Sequence, residues 1–73
     1  MSQTIWESKL DNIYQCEVTR TDEYRGVLKV TNTENDFVLL EQEVGLSYDA
    51  RFGPDMADVA EWQHLIIQAV DNQ

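Results

Sequence analysis

The sequence predicts a small α+β fold, an antiparallel β-sheet of about four strands in meander order packed against one C-terminal amphipathic α-helix. Three observations predict it. Period-two alternation of apolar and polar residues runs through the earlier part of the chain, clusters of turn-forming residues interrupt it, and a helical stripe with its own start signal occupies the end. With 73 residues the chain suffices for one compact unit, and residues 1–73 are expected to form a single α+β domain.

The first strand is expected around Trp6, Ser8 and Leu10, which alternate with Glu7 and Lys9. Asp11-Asn12 follows and supplies the turn-tolerant residues that close a hairpin. Trp6, Leu10, Ile13 and Tyr14 also fit a spacing of three and four, so a helix competes here. The short length and the turn pair favour the strand. Tyr14, Cys16 and Val18 alternate with Gln15, Glu17 and Thr19 and make the clearest strand, with one wet and one dry face.

Thr21-Asp22-Glu23 forms the second expected turn, and Tyr24 to Thr31 reads as a third strand rich in Val and Leu. Thr33-Glu34-Asn35-Asp36 forms the third turn. Phe37-Val38-Leu39-Leu40 then opens a fourth strand with room to continue to Tyr48. Val38, Leu40, Val44, Leu46 and Tyr48 share one parity, while Phe37 and Leu39 share the other. The start of this strand is therefore apolar on both faces, and one of them needs cover.

Gly53-Pro54-Asp55 signals a helix start, since Pro is preorganised for a first turn and Asp accepts from the exposed N–H groups. Asp58 in that turn suits the helix dipole. From Asp55 to about Val70, Val59, Trp62, Ile66, Ala69 and Val70 fall on one stripe. Ala57, Glu61, His64 and Gln68 fall opposite, so the helix is expected to lie across the sheet.

Charge narrows the choice of function. Fourteen acidic and five basic residues give a formal charge of −9. Residues 1–29 hold five acids and four bases (Lys9, Arg20, Arg25, Lys29), whereas residues 30–73 hold nine acids against Arg51 alone. Such a chain repels nucleic acid and anionic membranes, which argues against either as a direct partner. Cys16 is the single cysteine, so no intramolecular disulfide forms, and a reducing cytoplasm is the expected compartment. No basic n-region with an apolar h-region opens the sequence, and no apolar run reaches the roughly 20 residues of a membrane span.

Candidate chemistry is sparse. His64 has Glu61 and Gln68 as helical neighbours, but all three belong to the polar stripe, where a solvated histidine is expected. Glu41 and Glu43 point to the same side of a strand, as paired carboxylates or cation ligands would, yet a chain this short hardly builds a cleft around them. Asp49, Asp55, Asp58 and Glu61 surround the final loop without the spacing of an EF-hand, and helix capping accounts for Asp55 and Asp58. Cys16 shares the dry face with Tyr14 and Val18 and is expected to be a buried hydrophobe. With no phosphate loop, Cys/His framework or nucleophile motif, the sequence points to a non-enzymatic protein without a cofactor or metal.

What remains is surface. Phe37 and Leu39, joined by Val27, are expected to form an apolar strip on the sheet face away from the helix, either exposed as at interfaces or covered by the N-terminal segment. Glu34, Asp36, Glu41, Glu43, Asp49, Asp55, Asp58 and Glu61 are expected to cluster as an acidic side. In size and charge the chain resembles the small inhibitors that viruses and mobile elements direct at host nucleic-acid enzymes, DNA mimics and anti-CRISPR proteins among them. That resemblance implies a partner protein with a basic, nucleic-acid-binding surface. The alternative is a structural or assembly subunit that self-associates, as a homodimer, through the Val27, Phe37 and Leu39 strip or a strand edge.

Overall fold

In a computed structural model of the protein, residues 3–46 and 55–72 are described. Strands β1 (Gln3–Leu10), β2 (Tyr14–Asp22), β3 (Arg25–Asn32) and β4 (Phe37–Gly45) precede helix α1 (Met56–Asp71). The sheet order is β1-β2-β3-β4 with every pair antiparallel, which is the expected meander. The expected Tyr48 end of the fourth strand, Asp49, Arg51, Gly53 and Pro54 lie outside the described residues.

Each turn is built by residues suited to it. Asp11 and Asn12 both have positive φ, 55° and 57°, and the Ile13 N–H donates to the Leu10 carbonyl at 3.1 Å. Two consecutive positive φ values match the twist of a hairpin, and Asp and Asn tolerate them. In the second turn the Tyr24 N–H donates to the Asp22 carboxylate at 2.9 Å, and Arg20 Nη1 donates to the Glu23 carbonyl at 2.9 Å. The strand therefore runs on through Thr21 and Asp22, and the turn centres on Glu23-Tyr24 rather than on Thr21-Asp22-Glu23. Asn32 and Asn35 accept the N–H groups of Glu34 and Phe37 in the third turn. Thr33 then donates from its N–H and its hydroxyl to the Ile13 carbonyl, at 2.9 and 2.7 Å, joining the first and third turns at one end of the sheet.

Cross-strand register decides which residues meet the helix. The rows Trp6–Val18–Leu28–Gln42 and Ser8–Cys16–Val30–Leu40 lie on the helix side. Val18, Leu28 and Val30 have no exposed surface, and Cys16, Val44, Leu46, Trp62 and Ile66 complete the buried core. Sealing each aliphatic side chain contributes about 1.5–3 kcal/mol. Trp62 reaches across to Trp6 with ring centroids 5.5 Å apart and a tilt of 53°, a pairing worth about 0.5–1.5 kcal/mol beyond its burial.

Helix α1 begins as expected. Asp55 is its N-cap, accepting the Ala57 N–H at 2.8 Å, and Asp58 sits in the first turn. Trp62 and Ile66 are its buried residues, with Val59 and Leu65 packed beside them. Ala57, Glu61, His64 and Gln68 are exposed.

Both edge strands carry a bulge, and here the structure corrects the sequence reading. Thr4 pairs with Thr19 and Trp6 with Val18, leaving Ile5 over. Val38 pairs with Thr31 and Leu40 with Val30, leaving Leu39 over. An extra residue lets two neighbours turn to the same side. Ile5 and Trp6, like Leu39 and Leu40, accordingly both pack against the core. Beyond the second bulge the parity reverses, so Phe37 pairs with Asn32 on the helix side and Val38 with Thr31 on the other. The expected strip of Val27, Phe37 and Leu39 on the helix-free face is therefore not formed. Val27 faces that side with Thr19 and Glu43, while Phe37 and Leu39 line a groove against α1.

Candidate functional site

That groove lies between the edge strand β4 and the helix. Its volume is about 610 Å³, within the roughly 300–1,000 Å³ common for binding clefts. Phe37, Leu39, Leu40, Leu65 and Ala69 supply apolar lining, and Gln42, Gln68 and Asn72 supply polar groups. Helix positions 65, 68, 69 and 72 recur at the three- and four-residue spacing of a single stripe, and Glu61 continues it one turn toward the N-terminus. Phe37 is 62% exposed, so an aromatic ring stands open to solvent at one end of the groove.

The two elements that form it carry ionised side chains of one sign. Neither β4 nor α1 contains a Lys or Arg. Glu41 and Glu43 lie on β4, and Asp58, Glu61 and Asp71 on α1. Asn72 and Phe37 both line the groove, so the C-terminal end of α1 and the start of β4, which follows Glu34 and Asp36, border the same groove. The last turn of α1 has no basic residue, leaving the negative end of the helix dipole to reinforce these carboxylates.

The acidic residues singled out in the sequence thus occupy three places. Glu34 and Asp36 stand on the third turn, beside Phe37. Glu41 and Glu43 project from the helix-free face, where Glu41 is opposite Lys29 in the row Glu7–Glu17–Lys29–Glu41. Arg25 Nη1 is 3.9 Å from Glu43 Oε1, with both side chains 64% exposed, a pair that solvent screens to about 0–1 kcal/mol. Asp55, Asp58 and Glu61 belong to the helix, on the other side of the sheet, and Asp49 lies outside the described residues. The set does not form one flat face. The expected single acidic side is not formed: Glu41 and Glu43 point away from the groove, beside Lys29 and Arg25 of β3.

A second, smaller groove of about 170 Å³ runs along the opposite side of the helix. Trp6, Ser8, Lys9, Leu10, Gln63, Ile66 and Ile67 line it. Lys9 breaks the uniform charge found on the β4 side.

His64 is exposed, and its Nε2 lies 3.2 Å from Gln68 Nε2. Cys16 is buried, its thiol donating weakly to the Tyr14 carbonyl at 3.8 Å, and desolvation raises its pKa above the ordinary 9.0. Among the described residues no group of three His, Cys, Asp or Glu side chains comes together as a metal site would require. Among them, too, no helix is long and apolar enough to cross a membrane.

No protein-family model matches this chain, and neither the curated proteins nor the solved structures contain a match.

Parity counted along β4 alone carries Phe37 and Leu39 to the helix-free face and so hides the groove. A signal for it existed in the unbroken apolar run Phe37-Val38-Leu39-Leu40, too rich for a strand with one wet face and resolved by a bulge.

Proposed function

We propose that the protein is a small, non-enzymatic binding module that receives a basic surface of a partner protein on the flank formed by β4 and α1. One observation carries this reading: the two elements that enclose the larger apolar groove carry acidic side chains and no basic ones. Carboxylates carried by both elements steer a positive partner, while burial of Phe37, Leu39 and their neighbours supplies most of the affinity. Where the partner's surface ordinarily holds nucleic acid, occupying it inhibits that partner. This is the mode of the acidic inhibitors and DNA mimics of viruses and mobile elements.

The test is capture of the partner from the native cytoplasm, followed by titration of the isolated pair. Affinity is expected to fall at least tenfold between 50 and 300 mM NaCl, and added nucleic acid is expected to compete. Affinity that ignores salt, or a partner surface without Lys and Arg, overturns the reading.

A further inference from the structure

We infer that β4 is a docking edge, and that its occupant is an extended segment of a partner protein in which basic and apolar residues alternate. The inference rests on the basic-partner reading above and specifies how the contact is made. Among the described residues, strand order leaves β4 at the edge of the sheet, paired on one side by β3. Its bulge confines regular pairing to the stretch from Leu40 to Gly45. An extended segment laid along that edge satisfies its outward N–H and C=O groups, and successive side chains point to opposite faces.

The two faces beside this edge differ. On the helix side, a residue opposite Leu40 or Gln42 falls over the groove walled by Leu39, Leu40, Leu65 and Ala69. On the helix-free side, a residue opposite Glu41 or Glu43 meets an exposed carboxylate that it shares with a cation of β3, Lys29 across from Glu41 and Arg25 3.9 Å from Glu43. Apolar side chains suit the first set and Lys or Arg the second. Two like edges suit each other poorly. A second copy of β4 brings Glu41 and Glu43 toward their counterparts, so charge favours a different chain as the occupant.

The experiment uses three synthetic peptides of about ten residues: alternating Val and Lys, the same composition in two blocks, and alternating Val and Glu. The alternating Val/Lys peptide is expected to bind at least tenfold more tightly than either control. Amides of residues 40–44 that point away from β3 are expected to exchange with solvent at least tenfold more slowly in its presence. Glu41→Lys with Glu43→Lys, both on the surface, is expected to weaken it at least tenfold and leave the circular dichroism spectrum unchanged. Phe37→Ser is expected to weaken all apolar-containing peptides.

Equal, salt-sensitive binding of the alternating and block peptides overturns strand addition and leaves the basic-partner reading intact. Binding without slowed exchange in β4 does the same. Failure of every peptide to bind also sinks the inference, while the salt titration of the captured partner decides the broader reading separately. A dimer in sedimentation with β4 amides already protected assigns the edge to a second copy and removes the partner strand.

Discussion

Cys16 has 1% of its surface exposed and sits between Ser8 and Val30 in the sheet. Burial disfavours its thiolate, so the native thiol holds its proton to a higher pH than the unfolded chain does. Above the ordinary value of 9.0 the unfolded state therefore binds fewer protons, and stability falls with rising pH until the native thiol titrates. Urea unfolding of the wild type and of Cys16→Ala, measured from pH 7 to 11, checks this. The wild type is expected to lose stability relative to the variant above pH 9, with a slope of at most about 1.4 kcal/mol per pH unit. Gly26 shows a different constraint. A Cβ there would stand 2.8 Å from the Thr19 carbonyl oxygen and 3.3 Å from Val18 Cγ1, and the carbonyl belongs to the paired strand. Ala at this position must push β2 and β3 apart, so Gly26→Ala is expected to cost about 1–3 kcal/mol in urea unfolding. Gly45, with nothing within 4 Å, is the control that should tolerate the same change.

At the scale of strands and helix, the helix-free face of the sheet contains a conflict. Glu7 lies directly opposite Glu17 in the β1–β2 ladder, and like charges so placed destabilise a pair. Glu7→Lys replaces the repulsion with an opposite-charge pair and is expected to stabilise the protein by about 0.2–1 kcal/mol, less at high salt. Thermal unfolding at two salt concentrations checks both parts. The strands and helix were largely legible in the sequence because their signals are local. Tyr14 to Thr19 alternates, Asp11-Asn12 accepts positive φ, and Asp55 caps a helix whose stripe repeats at Trp62 and Ile66. The bulges at Ile5 and Leu39 were not legible. A bulge is a relation between two strands, and counting parity along one of them carries Phe37 to the wrong face.

Across the whole molecule the same limit governs the acidic residues. Their excess in the later part of the chain is plain in the sequence, but their grouping is not, because alternation along β4 and the pitch of α1 send them to different sides. What they share is the field of a molecule measuring 33 × 24 × 18 Å with a formal charge of −9. At 0.01 M salt the screening length of about 30 Å spans nearly all of it, so most carboxylates repel most others. At 0.15 M that length drops to about 8 Å, and mainly neighbours still interact. Attractive contacts such as Arg25 with Glu43, 3.9 Å apart and open to water, are too weak and too outnumbered to reverse the balance. Salt should therefore stabilise the fold. The urea midpoint is expected to rise between 0.01 and 0.15 M NaCl, since urea, being neutral, leaves the ionic strength to the added salt. Charge reversal at Asp71, in the last turn of α1 and so at its negative end, should flatten that rise. A midpoint that falls as salt is added would mean that the cations of β1 to β3 hold the carboxylates in stabilising pairs, and that the flank of β4 and α1 offers less free negative charge than its composition implies.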